Sequence, residues 1–253
     1  MKVADISVQL IDSMGSDLSV VNAARVSFDK HSDWEYDICD CCTEAKDNCE
    51  LCNCELGRYL KEGDVKLIKY LAKHKHFSPF NHTFVTLKVK APVFCARQLV
   101  KHEYMPWNEE SRRYINTEPE FYIPKKYRKS AENVKQGSSA ELVEGLMWID
   151  NKGDGDIHGT CDDAVTAVAE FALQTYNNLI AKGVCFEQAR IVLPQNMMVN
   201  WYWSGTLKAV SKMLGMRLDS HTQRETQEVA KQIVQLVEPI FPVSLKALLD
   251  NAS

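Results

Sequence analysis

The stretch HTFVTLKVKAPVFCARQLVKHEY, His82 to Tyr104, changes its hydrophobic period midway. Up to Lys90, apolar and polar residues alternate, the two-residue period of a half-buried strand. From Ala91-Pro92 the spacing becomes helical. Proline suits a first helical turn, where its missing N–H costs nothing, and Pro106 ends the helix near Tyr104. A strand feeding a helix through one proline is the pivot on which the remaining pattern is arranged.

On the N-terminal side, KVADISVQL alternates like a strand, and SDLSVVNAARVSF reads as a short helix capped by Ser16 or Asp17. GDVKLIKYLAKHKHF has helical spacing, with Leu67, Ile68 and Leu71 on one face and Asp64 as a cap. SPFNH then makes a turn. On the C-terminal side, DDAVTAVAEFALQTYNNLIAKG predicts a long helix ended at Gly183, and CFEQARIVLP a shorter one stopped by Pro194. NMMVNWYWSG is an aromatic, β-favouring strand before Gly205. TLKAVSKMLGMRL and HTQRETQEVAKQIVQLVEPIF predict two more helices, with a break near Pro242. This order predicts an α+β fold: a small, mainly antiparallel sheet packed with several helices, in one domain over 1–253. Two polar segments, 30–58 and 133–160, stand outside the periodic pattern and read as insertions.

The chain has 253 residues, 45% hydrophobic and 25% charged, and a net charge of −4. That excludes a global basic field for nucleic acid or an anionic membrane, so an anionic ligand must be held locally. No apolar run approaches a membrane span and no signal-peptide pattern opens the chain, which makes a cytoplasmic setting the default expectation. Nine cysteines, an odd number, argue against a disulfide framework. Six of them fall in 30–58, where Cys39/Cys42 and Cys49/Cys52 form two CxxC knuckles beside Cys41 and Cys54. Such knuckles can close a thiolate zinc site; the other reading is a loop of reduced thiols. Cys95, Cys161 and Cys185 lie in segments that read as buried helix.

Chemistry concentrates in VKHEYMPWNEESRRY, Val100 to Tyr114. One reading is a charged helix end and a polar loop, since cations are favourable near a helix C-terminus. NEESRRY resists it: adjacent carboxylates, a serine, paired arginines and a tyrosine offer acceptors, anion forks and a stacking face together. A planar ligand carrying phosphate uses all three. Arg190 in EQARIVLP and Arg217 in GMRLDSH sit in apolar helical stretches, where each is either salt-bridged, to Glu187 or Asp219, or bound to a ligand. His74, His76 and His82 read as surface histidines, with only a weak case for a metal.

Taken together, HFSPFNH, the PVFCARQ helix, KHEYMPWNEESRRY, EQARIVLPQN and MRLDSHTQRE resemble, in order and spacing, the motifs of the flavin-dependent thymidylate synthases. The resemblance covers most of the chain outside 30–58 and 133–160. It implies methylation of dUMP at C5, with methylene-tetrahydrofolate as carbon donor and FAD carrying hydride from NADPH. It also implies a homotetramer with active sites shared between subunits and no cysteine nucleophile. For the nucleotide it implies Gln98, Lys101, Glu109, Glu110, Ser111, Arg112, Arg113, Arg190 and Arg217. Of these, Arg113 and Arg190 would take phosphate or ribose contacts. Arg217 is the expected catalytic residue, facing the uracil and stabilising charge at N3 or O4 as C5 becomes nucleophilic. For FAD it implies His76, Ser78, Lys101, His102, Glu103, Tyr104, Glu109, Thr206, Lys208 and Lys212; no metal is implied.

The departures sit in the flavin set. Lys101-His102-Glu103 stands where the family has Arg-His-Arg, Asn81 replaces a glutamate, and Thr206, Lys208 and Lys212 replace Asn, Arg and Asn. Lysines 208 and 212 are expected to restore positive charge near the FAD diphosphate. Two other functions fit the residues less fully: transfer of a hydroxymethyl group to a pyrimidine nucleotide, and a non-catalytic zinc- and nucleotide-binding protein.

Overall fold

The computed structural model describes residues 1–37, 57–132, 137–149 and 156–252. The two CxxC knuckles, in 39–54, lie outside the described residues. The chain opens with strands β1 (Lys2–Val3) and β2 (Ser7–Met14), so the predicted N-terminal strand is split and runs further than its alternation suggested. Helix α1 (Asp17–Arg25) follows Ser16, whose backbone N–H donates to the Ser19 hydroxyl at 3.0 Å. Strands β3 (Glu35–Tyr36) and β4 (Arg58–Tyr59) pair where the first insertion leaves and rejoins the fold. Helix α2 (Glu62–Lys73) begins before Asp64. Asp64 is therefore not a cap but a fully buried carboxylate that accepts from Arg25 and Ser32.

Strand β5 (Phe84–Pro92) carries the pivot to its end. Pro92 is the residue preceding the helix, and α3 (Val93–Leu99) is shorter than expected. The predicted last turn unwinds because Tyr104 takes a left-handed φ of 61°, which no helix continues through, while Pro106 biases Met105 toward an extended backbone. Strands β6 (Trp107–Glu109) and β7 (Glu120–Phe121) follow. Strand β8 (Arg128–Ser130), just before the second insertion, pairs with β9 (Ser138–Leu142) within it, and β10 (Leu146–Ile149) pairs with β11 (Asp156–Gly159). Then come α4 (Cys161–Ala181), α5 (Phe186–Ala189), β12 (Met198–Thr206), α6 (Leu207–Arg217), α7 (Arg224–Val237) and α8 (Pro242–Asp250). Pro242 thus opens a new helix where the sequence predicted a break.

The main sheet runs β2-β5-β12-β6, with every neighbouring pair antiparallel. Its inner face sets Val85, Leu87, Val89 and Ala91 beside Val199, Trp201 and Trp203, all buried. Lys88 and Tyr202 point the other way and are exposed, as expected when an antiparallel sheet is covered on one side only. Helix α7 presents Val229, Ala230, Ile233 and Val237 to the core at zero exposure. Asp17 ties α1 to the start of α8 by accepting the Val243 and Ser244 N–H groups at 2.8 and 2.9 Å. Burial raises its pKa against those hydrogen bonds.

Candidate active site

Because β5 runs straight into α3, the end of that helix is fixed against the sheet, and the sequence places Arg97, Gln98 and Lys101 there. A cleft of about 860 Å³ opens beside them. Its other walls are Met216 and Arg217 at the end of α6, His221 to Gln223 before α7, and Arg128, Gly137 and Ser138 of the β8–β9 hairpin.

Arg217 is held from two sides. Its Nε donates to His102 Nε2 at 2.8 Å and its Nη2 donates to the Gln98 carbonyl at 3.1 Å. The salt bridge to Asp219 that spacing allowed is not made: Asp219 instead accepts from the His221 backbone and ring. Burial pulls the His102 pKa down to about 4, with Arg217 and Lys212 adding to the effect. Near neutral pH the ring is therefore uncharged, and acceptance at Nε2 puts its proton on Nδ1. Burial also lowers the Arg217 pKa, but a guanidinium stays cationic in proteins. Two of its five N–H groups are used; the others are available to a substrate oxygen.

Gln98 is pinned as well. Its Nε2 donates to Gln223 Oε1 at 2.5 Å, and the Thr226 hydroxyl donates to its Oε1 at 3.2 Å. Glu225, between those two positions in sequence, is buried and receives Arg128 Nη2 on both oxygens, at 2.9 and 3.1 Å. Arg128 Nε donates to Ser138 at 2.8 Å.

A second cleft, of about 1050 Å³, holds Glu109, Glu110, Ser111, Arg112, Arg113 and Arg190. Arg113 donates to Ser111 from its backbone and its Nε at 3.4 and 3.3 Å, and its guanidinium lies over the Tyr114 ring. Asn200 Nδ2 donates to Glu110 at 2.7 Å, and Trp107 Nε1 donates to Glu109 at 3.1 Å. Arg112 is buried and turned inward, donating to the Thr117 carbonyl, so its guanidinium serves the loop. Arg190 is exposed rather than buried, and it meets the Glu187 carbonyl, not its carboxylate, at 3.3 Å. The two expected halves of the nucleotide site thus occupy different clefts of one chain. Arg97 lines both.

The remaining expected flavin residues sit around the start of α6. Thr206 caps that helix through Ala209 N–H and donates to Asn81 at 2.9 Å. Lys208 lies 3.5 Å over the Phe77 ring, and burial, Lys212 and Lys75 all lower its pKa. Lys212 is 3.8 Å from Glu103. His76 and Ser78 are exposed, and the His76 ring meets Tyr70 edge-on. Tyr104 is 82% exposed, which leaves its ring open to a ligand. A lysine whose protonation is lowered by burial and by neighbouring lysines is a donor that an anionic diphosphate relieves, so these residues fit FAD.

Among the described residues no cluster of His, Cys, Asp and Glu could hold a metal. Cys95 is buried as expected, and burial, partly offset by the Thr226 hydroxyl, pushes its thiol to about 12, too high for a nucleophile. Cys185 is exposed and Cys161 only partly buried, contrary to the buried reading of both: Cys161 opens α4 and Cys185 immediately precedes α5. Sequence reasoning missed Arg128, Ser138, Gln223 and Thr226. The TQRET run before α7 carried the only visible signal, a polar cluster at the start of a strongly amphipathic helix.

A family model described as thymidylate synthase complementing protein matches residues 9–243. The chain is 33% identical over 245 residues to a flavin-dependent thymidylate synthase of Kosmotoga olearia, covering 97% of this chain and 90% of that protein. A Thermotoga neapolitana protein of the same name is 34% identical, with 97% and 91% covered. Among solved structures, the UMP/dUMP methylase PolB from Streptomyces cacaoi bound with 5-Br dUMP superposes with a TM-score of 0.72 at 28% identity, covering 99% of this chain and 97% of that one.

Proposed function

The chain belongs to the thymidylate synthase complementing protein family and is a flavin-dependent thymidylate synthase, and we propose that it methylates dUMP at C5 with methylene-tetrahydrofolate as carbon donor and NADPH as reductant. The observation that carries this reading is the fixed Arg217: it is anchored on neutral His102 and the Gln98 carbonyl, and it lines the first cleft. A guanidinium there stabilises negative charge on a uracil oxygen as C5 attacks, without transferring a proton. Ser111, Arg113 and Arg190 supply the phosphate fork, and Glu109 and Glu110 accept from ribose.

FAD, when bound, supplies the hydride that reduces the transferred carbon to methyl. His76, Ser78, Lys101, His102, Tyr104, Thr206, Lys208 and Lys212 would hold it, Lys208 and Lys212 against its diphosphate. Cys95 keeps its proton and is unsuited to nucleophilic attack on uracil C6.

We further propose that 1–253 acts as one catalytic unit and assembles as a homotetramer, bringing the first cleft of one subunit to the second cleft of another. Ile191 and Tyr114, beside Arg190 and Arg113, are 84% and 73% exposed, an apolar rim suited to such a contact. The test is a tritium-release assay with dUMP labelled at C5, methylene-tetrahydrofolate, FAD and NADPH. Release of label with formation of dTMP is expected, and Arg217→Ala should abolish it while circular dichroism stays that of the wild type. Wild-type turnover in Arg217→Ala would remove the proposed role of this residue, and a hydroxymethylated product would replace the methylation reading.

A further inference from the structure

We propose that His102 is a positioning residue for Arg217: its ring holds the guanidinium in place without neutralising it, so that the positive charge is kept whole for the substrate. The inference rests on the reading of Arg217 as the group that stabilises charge on the pyrimidine. A guanidinium has five N–H groups and no acceptor, so its contact with the ring has one possible direction. Arg217 Nε donates at 2.8 Å and His102 Nε2 accepts. Nη2 donates to the Gln98 carbonyl at 3.1 Å, in the last turn of α3, where carbonyls lack an intrahelical partner. Nε and Nη2 share one edge of the planar group. Two acceptors on that edge fix its plane, whereas the carbonyl alone would let the guanidinium swing about a single hydrogen bond.

The anchor is itself held. The His102 backbone N–H donates to the Leu99 carbonyl at 3.1 Å, and the ring centre lies 6.2 Å from that of the buried Trp203. A carboxylate in its place would grip harder and cancel the charge. The two carboxylates closest to this pair in sequence are engaged elsewhere, Asp219 with His221 and Glu103 with Lys212. Among the described residues Arg217 meets no carboxylate. The other ring nitrogen, Nδ1, has no partner among the described residues, so its N–H is left for the cofactor.

The two nitrogens can be tested apart, because a glutamine amide reaches the position of Nε2 and the shorter asparagine amide that of Nδ1. The kcat is measured at saturating dUMP, methylene-tetrahydrofolate and NADPH, with FAD raised to saturation for each variant. His102→Gln restores an acceptor for Arg217 and should keep most of the wild-type kcat. His102→Asn leaves Arg217 Nε unpaired and should lower kcat by about 10- to 100-fold, the scale on which a misplaced catalytic group acts. KM for dUMP should change far less, because the charge develops in the transition state. His102→Leu should fall as far as His102→Asn; should it not fold, the Gln and Asn variants, matched to the wild type by circular dichroism, decide alone. The reverse order, with Asn active and Gln not, marks the ring as a cofactor contact and overturns the proposal, as does equal kcat in the two. Arg217→Ala separates this from the underlying reading: wild-type turnover there removes both, whereas an inactive Arg217→Ala beside a fully active His102→Asn removes only the role of His102.

Discussion

Replacing Glu225 with glutamine removes a charge and almost no volume at the joint between α7 and the β8–β9 hairpin. Arg128 grips both carboxylate oxygens, and the side chains are only 22% and 7% exposed. Breaking a fully buried pair from one side costs about 3–5 kcal/mol, because the remaining ion has no counter-charge. Arg128 keeps some water and its Ser138 contact, and glutamine still accepts one hydrogen bond, so about 2–3 kcal/mol is the consistent estimate. For a chain of this length that lowers Tm by roughly 5–10 °C. Calorimetry on Glu225→Gln, Arg128→Met and the double variant should give a coupling of about 2 kcal/mol, changed little by 1 M NaCl because a buried pair is weakly screened. A Tm within about 2 °C of wild type, or a coupling that vanishes in salt, would refute the reasoning. The KM for dUMP should rise in the same variants, since Glu225 lies on the turn of helix that carries Thr226.

Other perturbations probe the site's charges and ties. Lys208→Met should weaken FAD binding by about tenfold at low ionic strength and less in 0.5 M salt; unchanged affinity in a flavin-fluorescence titration would leave Lys208 as a partner for Phe77 alone. His102 binds its proton at about 4 in the folded protein against 6.5 in the unfolded chain, so its contribution to stability is complete above pH 6.5 and is lost as pH falls toward 4. The difference in Tm between wild type and His102→Gln should change across that window and stay flat above it. Asp17→Ala strands the Val243 and Ser244 N–H groups and should cost about 2–4 kcal/mol in denaturant unfolding, while Asp17→Asn, keeping one acceptor, should cost less.

The strand-to-helix pivot was legible because period and proline agree: alternation to Lys90, then Pro92 before α3. The length of α3 was not. Arg97, Lys101 and Glu103 suit a helix end, and nothing local in KHEY announces that Tyr104 adopts a left-handed backbone. Asp64 shows the same limit: near a helix start an aspartate reads as a cap, and only the packing of Arg25 and Ser32 against it reveals a buried charge partner. Glu109 to Arg113 line one cleft together, yet Arg112 and Arg113, adjacent in sequence, turn to different tasks because one side chain meets the Thr117 carbonyl and the other Ser111 and the Tyr114 ring. The missed residues are joined across long sequence separations. Gln98 and Gln223 meet only once the start of α7 is docked against α3, and Arg128 and Glu225 only once it is docked against the β8–β9 hairpin.

In the fold, the departures in the flavin set are not independent of one another. Along the sequence, Asn81, Glu103, Thr206 and Lys212 are separate differences from the family pattern, and Glu103 looks like an inverted charge in an anion site. In the fold they form two contacts: Thr206 donates to Asn81, and Lys212 lies against Glu103. The second pair exchanges a cation on the KHEY turn for one on α6, across the same gap. Lys212 is therefore partly spent on Glu103 and does not simply add positive charge. Among the described residues Lys208 meets no carboxylate; it rests on an aromatic face, with its pKa lowered by burial and two neighbouring lysines. An anion arriving there would regain the most, which favours the first turn of α6 over the turn after α3 as the place for a cofactor's negative charge.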